Sequence, residues 1–147
     1  MAQVRQAKAH WSGDLPTGAG AVSTATTSVF SGLPVNWRAR AEASDTGLTS
    51  PEELLAAAHA ACYSMALSNI LAKGGTPPTR VDVTVDVTAD KREAGFTVLS
   101  SAITVTGVVP GLDQAGFEAA AATAKDGCPI SRALKGNVEL SVTATLA

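Results

Sequence analysis

A long alanine-rich helix with clear start and stop signals constrains this fold more than any other sequence feature. Its start lies in Ser50-Pro51-Glu52-Glu53, where Ser50 suits the N-cap, Pro51 the first helical position and Glu53 the reciprocal place in a capping box. The helix is predicted to run to about Lys73, because Gly74-Gly75 and then Pro77-Pro78 follow. Since polar residues interrupt its apolar run, we expect this helix in a protein core, not across a membrane.

The composition predicts one domain over residues 1–147, with a core of small aliphatic side chains. Hydrophobic residues make up 46% of the chain but aromatic residues only 4%. Such a core buries little area per residue, which favours an oligomer. The formal net charge is −2 and no basic block is present, so a nucleic-acid partner is not expected. The first residues lack the apolar segment of a secretory signal, and we expect a cytoplasmic protein with no membrane partner.

Alternating residues predict strands on both sides of the long helix. Strands are predicted at 3–11, 20–30, Val35–Glu42, Val81–Val87, Phe96–Val109 and Val138–Thr145, and shorter helices at Asp113–Lys125 and Pro129–Leu134. The strand Val35–Glu42 would place Arg38 and Arg40 on one polar face. This order of elements predicts an α+β fold with mainly antiparallel sheets and a long central helix.

Cys62 and Cys128 are the only cysteines, and 66 positions separate them. Cys62 would lie too deep in the long helix for the helix dipole to lower its pKa, so its activation would need a cation from another element. Cys128 precedes Pro129 and is predicted to be the N-cap of a short helix, where cysteine is an uncommon residue. The pair could be a redox couple, a metal site, a structural bridge or two unrelated packed thiols.

His59 lies three residues before Cys62 and so shares its helical face. A Cys–His pair for hydrolysis or acyl transfer is one reading, but no orienting acid or oxyanion motif lies beside it. We favour a packed, hydrogen-bonded histidine. A zinc site built from both cysteines, His59 and His10 lacks the spacing typical of such ligands.

Glu52 is available to pair with an arginine, because Glu53 already has a capping role. Glu52 lies ten residues before Cys62, about 15 Å along an ideal helix, so it cannot reach the thiol of its own helix. If it serves the same site, a second copy of the helix must supply it, which predicts a homodimer with the site at the interface. Arg38 or Arg40 could be the missing cation, held by bidentate pairing with a carboxylate.

Taken together, three segments resemble the OsmC/Ohr family of peroxidases. The segment Thr49–Leu67 resembles the signature helix of that family, and the segments Val109–Asp113 and Ala124–Ser131 resemble its second half. The similarity extends from His10 to the final strand. His59 and the Gly127-Cys128-Pro129 motif favour the OsmC branch over the Ohr branch.

The resemblance implies an OsmC/Ohr-like fold in an intertwined homodimer with two interface sites and no metal, haem or other cofactor. Cys62 would be the peroxidatic thiolate and Cys128 the resolving thiol. Glu52 and Arg40 would match the family's glutamate and arginine. Arg38 is the alternative, because the segment 43–50 is slightly longer than in close relatives.

The resemblance also implies partners for this site. The substrate would be an organic hydroperoxide, with hydrogen peroxide reduced less well, in defence against oxidative or osmotic stress. The reductant would be an external dithiol such as a dihydrolipoyl group, or a small thiol. Tyr63, Met65 and Leu67 are predicted to offer apolar surface to an alkyl peroxide. A thiol redox sensor or binding module without turnover is the alternative function.

Overall fold

A computed structural model describes residues 1–42 and 47–147. The extra length predicted for the segment 43–50 falls partly on 43–46, outside the described residues. Within the described ranges the chain forms six strands and four helices, in the order β1 (Ala7–Ser12), β2 (Ala19–Thr24), β3 (Leu33–Asn36), α1 (Trp37–Ala41), α2 (Pro51–Lys73), β4 (Arg80–Arg92), β5 (Gly95–Val108), α3 (Gln114–Gly127), α4 (Pro129–Leu134) and β6 (Glu139–Leu146).

The described residues divide into two compact units, Met1–Leu54 and Leu55–Ala147. The first unit contains a three-stranded antiparallel sheet in the order β1-β2-β3. The second contains a sheet in the order β4-β5-β6 together with most of α2, α3 and α4. A single domain over 1–147 stays a prediction.

The strand predicted for Val35–Glu42 is wrong beyond Asn36, because a short helix replaces it. The Asn36 side chain caps this helix by accepting a hydrogen bond from the Ala39 N–H at 2.8 Å. Arg38 also pairs with Glu42 one helical turn later, at 2.9 Å. Arg38 and Arg40 therefore do not share the strand face predicted for them.

The predicted limits of the long helix are confirmed, since α2 spans Pro51–Lys73. The Ser50 hydroxyl accepts a hydrogen bond from the Glu53 N–H at 3.1 Å, which is one half of the capping box. The Glu53 carboxylate accepts instead from the Thr49 hydroxyl at 2.6 Å. At the other end Gly75 adopts a φ of 85°, a left-handed conformation that suits glycine after a helix.

The second sheet contains the one departure from antiparallel pairing among the described strands. β4 and β5 pair antiparallel, with a register shift between Thr88 and Ala89. β6 pairs parallel with β5, and α3 and α4 form the connection between these two strands. The prediction of mainly antiparallel sheets is confirmed, and β5 is the central strand of its sheet.

One stripe of α2 enters the core of the second unit. Its members follow at four-residue intervals: His59, Tyr63, Leu67 and Leu71. They belong to a buried region that also contains β-strand residues Val85, Ile103 and Val105 and α3 residues Phe117, Ala121 and Ala124. The prediction of a core helix is thus confirmed for one stripe only, since Met65 is 66% exposed. By length and composition alone, α2 would also be long and apolar enough to cross a membrane.

We expect Gly107→Ala to lower the free energy of unfolding by about 1–3 kcal/mol, through overpacking. A Cβ at Gly107 would lie 2.4 Å from the ring of Phe117, which is fully buried. Urea unfolding measures the change. Gly127→Ala is the matched control, because no atom lies within 4 Å of its added Cβ. The control should be neutral or gain up to about 1 kcal/mol from helix propensity, and equal losses in both variants would contradict the overpacking argument.

Candidate active site

The fold brings the two cysteines into contact within the unit Leu55–Ala147. Cys62 lies in the middle of α2 and is partly buried, while Cys128 is fully buried. Both are free thiols, and their side chains share a hydrogen bond. The two cysteines, 66 positions apart along the chain, are therefore brought together by folding.

Cys128 joins two helices. Its backbone N–H donates to the Ala124 carbonyl at 2.8 Å, which closes α3, and Cys128 is also the N-cap of α4 with Pro129 following. The predicted cap position is confirmed. The Cys128 side chain makes no capping hydrogen bond, so its sulfur is not engaged by the backbone of α4.

The immediate surroundings of Cys62 favour the neutral thiol. Burial raises the pKa of Cys62 above its ordinary value, the backbone N–H of Ile130 lowers it, and the neighbouring Cys128 raises it again. On balance the pKa is raised. No group among these three causes is a cation, so the local environment of the thiol does not supply the activation that a nucleophilic cysteine needs.

Arg40 and Glu52 form a forked ion pair within the unit Met1–Leu54. The Arg40 Nε lies 3.1 and 3.2 Å from the two carboxylate oxygens of Glu52, and Nη2 lies 2.9 Å from Oε1. The two side chains are 33% and 11% exposed. The Arg38–Glu42 pair is far more exposed, at 73% and 61%. Fork geometry and partial burial fix the guanidinium of Arg40 in orientation, whereas an exposed pair holds its partners weakly.

His59 is fully buried and bonded through both ring nitrogens. Nδ1 lies 2.7 Å from the Ser101 hydroxyl and Nε2 lies 2.7 Å from the Ser131 hydroxyl. Burial lowers the pKa of His59 below its ordinary value, so the neutral ring is favoured. The expectation of a hydrogen-bonded histidine is confirmed, and neither ring nitrogen is directed at Cys62 as an acyl-transfer base would require.

Ser101 and Ser131 are partners of His59 that were not predicted from the sequence. Ser131 follows Cys128 by three residues, so a shared helical face was the one available signal. Ser101 had no signal at all. Tyr63 and Leu67, predicted to face a substrate, are instead fully buried in the core, and Tyr63 donates a hydrogen bond to the Ala121 carbonyl at 3.0 Å. Of the three apolar residues predicted to face substrate, only Met65 is exposed. Among residues 1–42 and 47–147, no group of three or more His, Cys, Asp or Glu could hold a metal ion.

Known proteins are similar to this chain in sequence and in fold. Residues 43–143 match the family described as OsmC-like protein. Peroxiredoxin OsmC of Escherichia coli strain K12 is 43% identical over 136 residues, which cover 92% of this chain and 93% of that protein. Organic hydroperoxide resistance protein-like 2 of Staphylococcus epidermidis is 32% identical over 99 residues, 66% of this chain and 68% of that protein. The crystal structure of an organic hydroperoxide resistance protein OsmC from Legionella pneumophila superposes with a TM-score of 0.74 at 28% identity, covering 97% of both chains.

The α+β fold with its two small sheets and long helix is the OsmC/Ohr-like fold. The chain belongs to the OsmC-like family. Its 43% identity to an OsmC protein exceeds the 32% identity to the Ohr-type relative, in agreement with the OsmC branch predicted from the motifs around His59 and Cys128.

We expect His59 to make the protein less stable as the pH falls below about 6.5, the ordinary pKa of histidine. The pKa of His59 is lower in the folded protein, so the unfolded chain binds more protons in this window and the free energy of unfolding decreases with falling pH. The stabilisation is fully present above the unfolded pKa, and its loss is at most about 1.4 kcal/mol per pH unit. Urea unfolding of wild type and His59→Asn between about pH 7.5 and 5.5 measures the difference.

His10→Asn is the matched control, because His10 is exposed on β1. This variant should keep the pH dependence of the wild type, whereas His59→Asn should flatten it. An unchanged slope in His59→Asn would mean that the folded protein accommodates the charged ring, contrary to the expectation.

Proposed function

We propose that this protein is a thiol peroxidase that reduces organic hydroperoxides, and hydrogen peroxide less well, to alcohols or water. The observation that carries the proposal is the contact between the partly buried Cys62 and the buried Cys128. A peroxidatic and a resolving thiol need such a contact. Relatives named peroxiredoxin OsmC and organic hydroperoxide resistance protein support the same activity.

The proposed reaction has two steps at Cys62, oxidation of its sulfur by the peroxide and then condensation of the oxidised sulfur with Cys128. The Cys62 thiolate attacks the distal peroxide oxygen, the O–O bond breaks, and the alkoxide leaves and is protonated to the alcohol. The sulfur becomes a sulfenic acid. The Cys128 thiolate then attacks this sulfur, the S–O bond breaks, hydroxide leaves as water, and a disulfide forms. Two electrons from an external dithiol, such as a dihydrolipoyl group, reduce the disulfide and complete the cycle.

Arg40 is proposed to supply the cation that Cys62 lacks locally. Burial and Cys128 raise the pKa of Cys62, so the thiolate needs an added positive charge near the sulfur. The forked pairing with Glu52 fixes the orientation of the Arg40 guanidinium. A planar guanidinium is always charged and suits the recognition of anions such as a thiolate. Glu52 is thus a positioning residue in this scheme.

The active form is proposed to be a homodimer with the site shared between subunits. Glu52 precedes Cys62 by ten residues of one helix, about 15 Å in an ideal helix, so the Arg40–Glu52 pair of one subunit would serve Cys62 of the other. The second subunit would also cover the exposed side of α2. That side carries Met65 and an open groove of about 460 Å³ lined by Ser64, Met65, Ser68, Asn69, Ala72 and Val81.

A cytoplasmic role in defence against oxidative or osmotic stress fits this chemistry, because a reducing compartment keeps both thiols reduced between turnovers. The proposed reaction needs no metal and no other cofactor, and it involves no membrane or nucleic-acid partner. The alternative is a redox sensor, in which the same two thiols are oxidised once and are not recycled.

We expect Cys62→Ser to abolish peroxidase turnover, because serine cannot form the sulfenic acid. Cys128→Ser should keep the first oxidation but lose turnover with a dithiol, since no resolving thiol remains. The turnover assay follows consumption of cumene hydroperoxide by reduced protein with excess dithiol. In a separate sample without dithiol, intact mass after one equivalent of peroxide identifies the oxidised product. A loss of two hydrogens in wild type and a gain of one oxygen in Cys128→Ser are expected. Consumption that stops after one equivalent with excess dithiol would instead support the sensor.

We expect Arg40→Ala to slow the first oxidation at neutral pH by roughly 10- to 1000-fold, because an opposite charge near a thiolate lowers its pKa by about 1–3 units. The loss should shrink as the pH rises toward the higher pKa of Cys62 in the variant. Arg38→Ala is the matched control and should stay within about twofold of wild type, since the Arg38–Glu42 pair is exposed. A larger effect of Arg38→Ala would reassign the arginine.

A mixed dimer tests whether the site is shared. Chains carrying Cys62→Ser are expected to be inactive alone, and chains carrying Arg40→Ala to be slowed by roughly 10- to 1000-fold. When the two are co-expressed, each heterodimer holds one intact site in the shared arrangement, which gives about a quarter of wild-type sites if the chains pair at random. No recovery would mean that Arg40 acts on Cys62 of its own chain.

A further inference from the structure

A buried chain of hydrogen bonds links three elements of the unit Leu55–Ala147, and the proposed chemistry leaves it without a role. Ser101 of β5, His59 of α2 and Ser131 of α4 are each at most 1% exposed. The two contacts that join them are both 2.7 Å long. Burying three polar side chains has a desolvation cost, which their mutual hydrogen bonds offset only while the geometry is kept.

Two members of this hydrogen-bonded chain, His59 and Ser131, each lie three residues from one of the two cysteines. His59 lies three residues before Cys62 on α2, and Ser131 of α4 lies three residues after Cys128, the N-cap of that helix. His59 and Cys62 share one face of α2, one helical turn apart. His59 contacts Ser131 of α4, and Cys62 contacts Cys128, the cap of α4. The N–H of Ile130, which lies between Cys128 and Ser131 in the sequence, is directed at the Cys62 sulfur.

We propose that His59, Ser101 and Ser131 are positioning residues that hold Cys128 against Cys62 and thereby set the rate and equilibrium of disulfide closure. This inference rests on the function proposed above. It assigns to His59 a role in geometry, since both of its ring nitrogens are engaged by serine hydroxyls.

Because α4 is short, it needs hydrogen bonds to neighbouring elements to keep Cys128 in position. α4 has six residues, and a helix of this length has little stability of its own. The Cys128 side chain makes no capping bond that would fix it. A disulfide forms only within a narrow range of Cβ separation and dihedral angle, so a loose α4 would lower the effective concentration of Cys128 at Cys62.

Ser101 connects these hydrogen bonds to β5, the central strand of its sheet. β5 is hydrogen-bonded to β4 on one side and β6 on the other, and Ser101 is paired with Val87 and Leu140. The position of the Ser101 hydroxyl is therefore fixed by the sheet. Its hydrogen bond to Nδ1 orients the ring of His59 so that Nε2 points toward Ser131. Neutral histidine donates through one nitrogen and accepts through the other, so the chain is satisfied without a charge.

The test compares Ser131→Ala with wild type after one equivalent of cumene hydroperoxide. The first oxidation should proceed at the wild-type rate, whereas disulfide closure, followed by quenched intact mass, should slow at least about tenfold. The Cys62–Cys128 reduction potential should become less negative by about 30 mV for each tenfold loss of effective concentration. Ser101→Ala should change both quantities in the same direction by less, because it leaves α4 bonded to a less ordered ring.

Two further variants separate positioning from general damage. Ser131→Thr keeps the hydroxyl and should restore closure and potential toward wild type. Thr123→Ala removes an exposed α3 hydroxyl that bonds its own helix at 2.9 Å, and should leave both unchanged.

Wild-type closure and potential in both Ser131→Ala and Ser101→Ala would overturn the inference while leaving the proposed function intact. An equal slowing of the first oxidation and of closure would also overturn it, since general loosening would explain both. If wild type forms no Cys62–Cys128 disulfide, the proposed function itself fails, and the inference with it.

Discussion

The burial of one stripe of α2 is the constraint on which the unit Leu55–Ala147 depends. His59, Tyr63, Leu67 and Leu71 recur every four residues, and packing them against the second sheet and α3 fixes the rotation of the helix about its axis. That rotation decides where Cys62 points. Cys62 is offset from His59 by three residues and from Tyr63 by one, so it lies at the edge of the stripe, where it is neither solvated nor sealed.

Local signals made part of this fold predictable. The start and end of α2, the bounds of α4 and the cap position of Cys128 follow from proline, glycine and capping residues that act within a few positions. The segment after Asn36 was mispredicted because an eight-residue alternation is too short to separate a strand from a helix of alanine and arginine, and the Asn36 cap decides between them.

The sequence was enough to predict which single residues belong to the candidate site, but not how they contact one another. Cys62, Cys128, Glu52 and Arg40 were selected from residue type, position and family resemblance, and the structure adds the contacts between the two cysteines and between Arg40 and Glu52. The hydrogen-bond partners of His59 could not be predicted, because they belong to no recognisable motif. Ser101 and Ser131 lie 42 and 72 positions from His59, and a lone serine carries no sequence signal of a distant hydrogen bond.

The packing that opposes the first proposed step favours the second. Desolvation raises the pKa of Cys62 and so reduces the thiolate available for peroxide, which is why a cation must come from another element. The same packing places Cys128 in contact with the sulfur, and a sulfenic acid formed there meets a thiol before it meets more peroxide. Over-oxidation to sulfinic acid requires a second peroxide molecule. Rapid reaction of the sulfenic acid with Cys128 would therefore limit over-oxidation. In the proposed cycle the two tasks are separate, since the arginine would control the first oxidation and the fold around α4 would control disulfide closure.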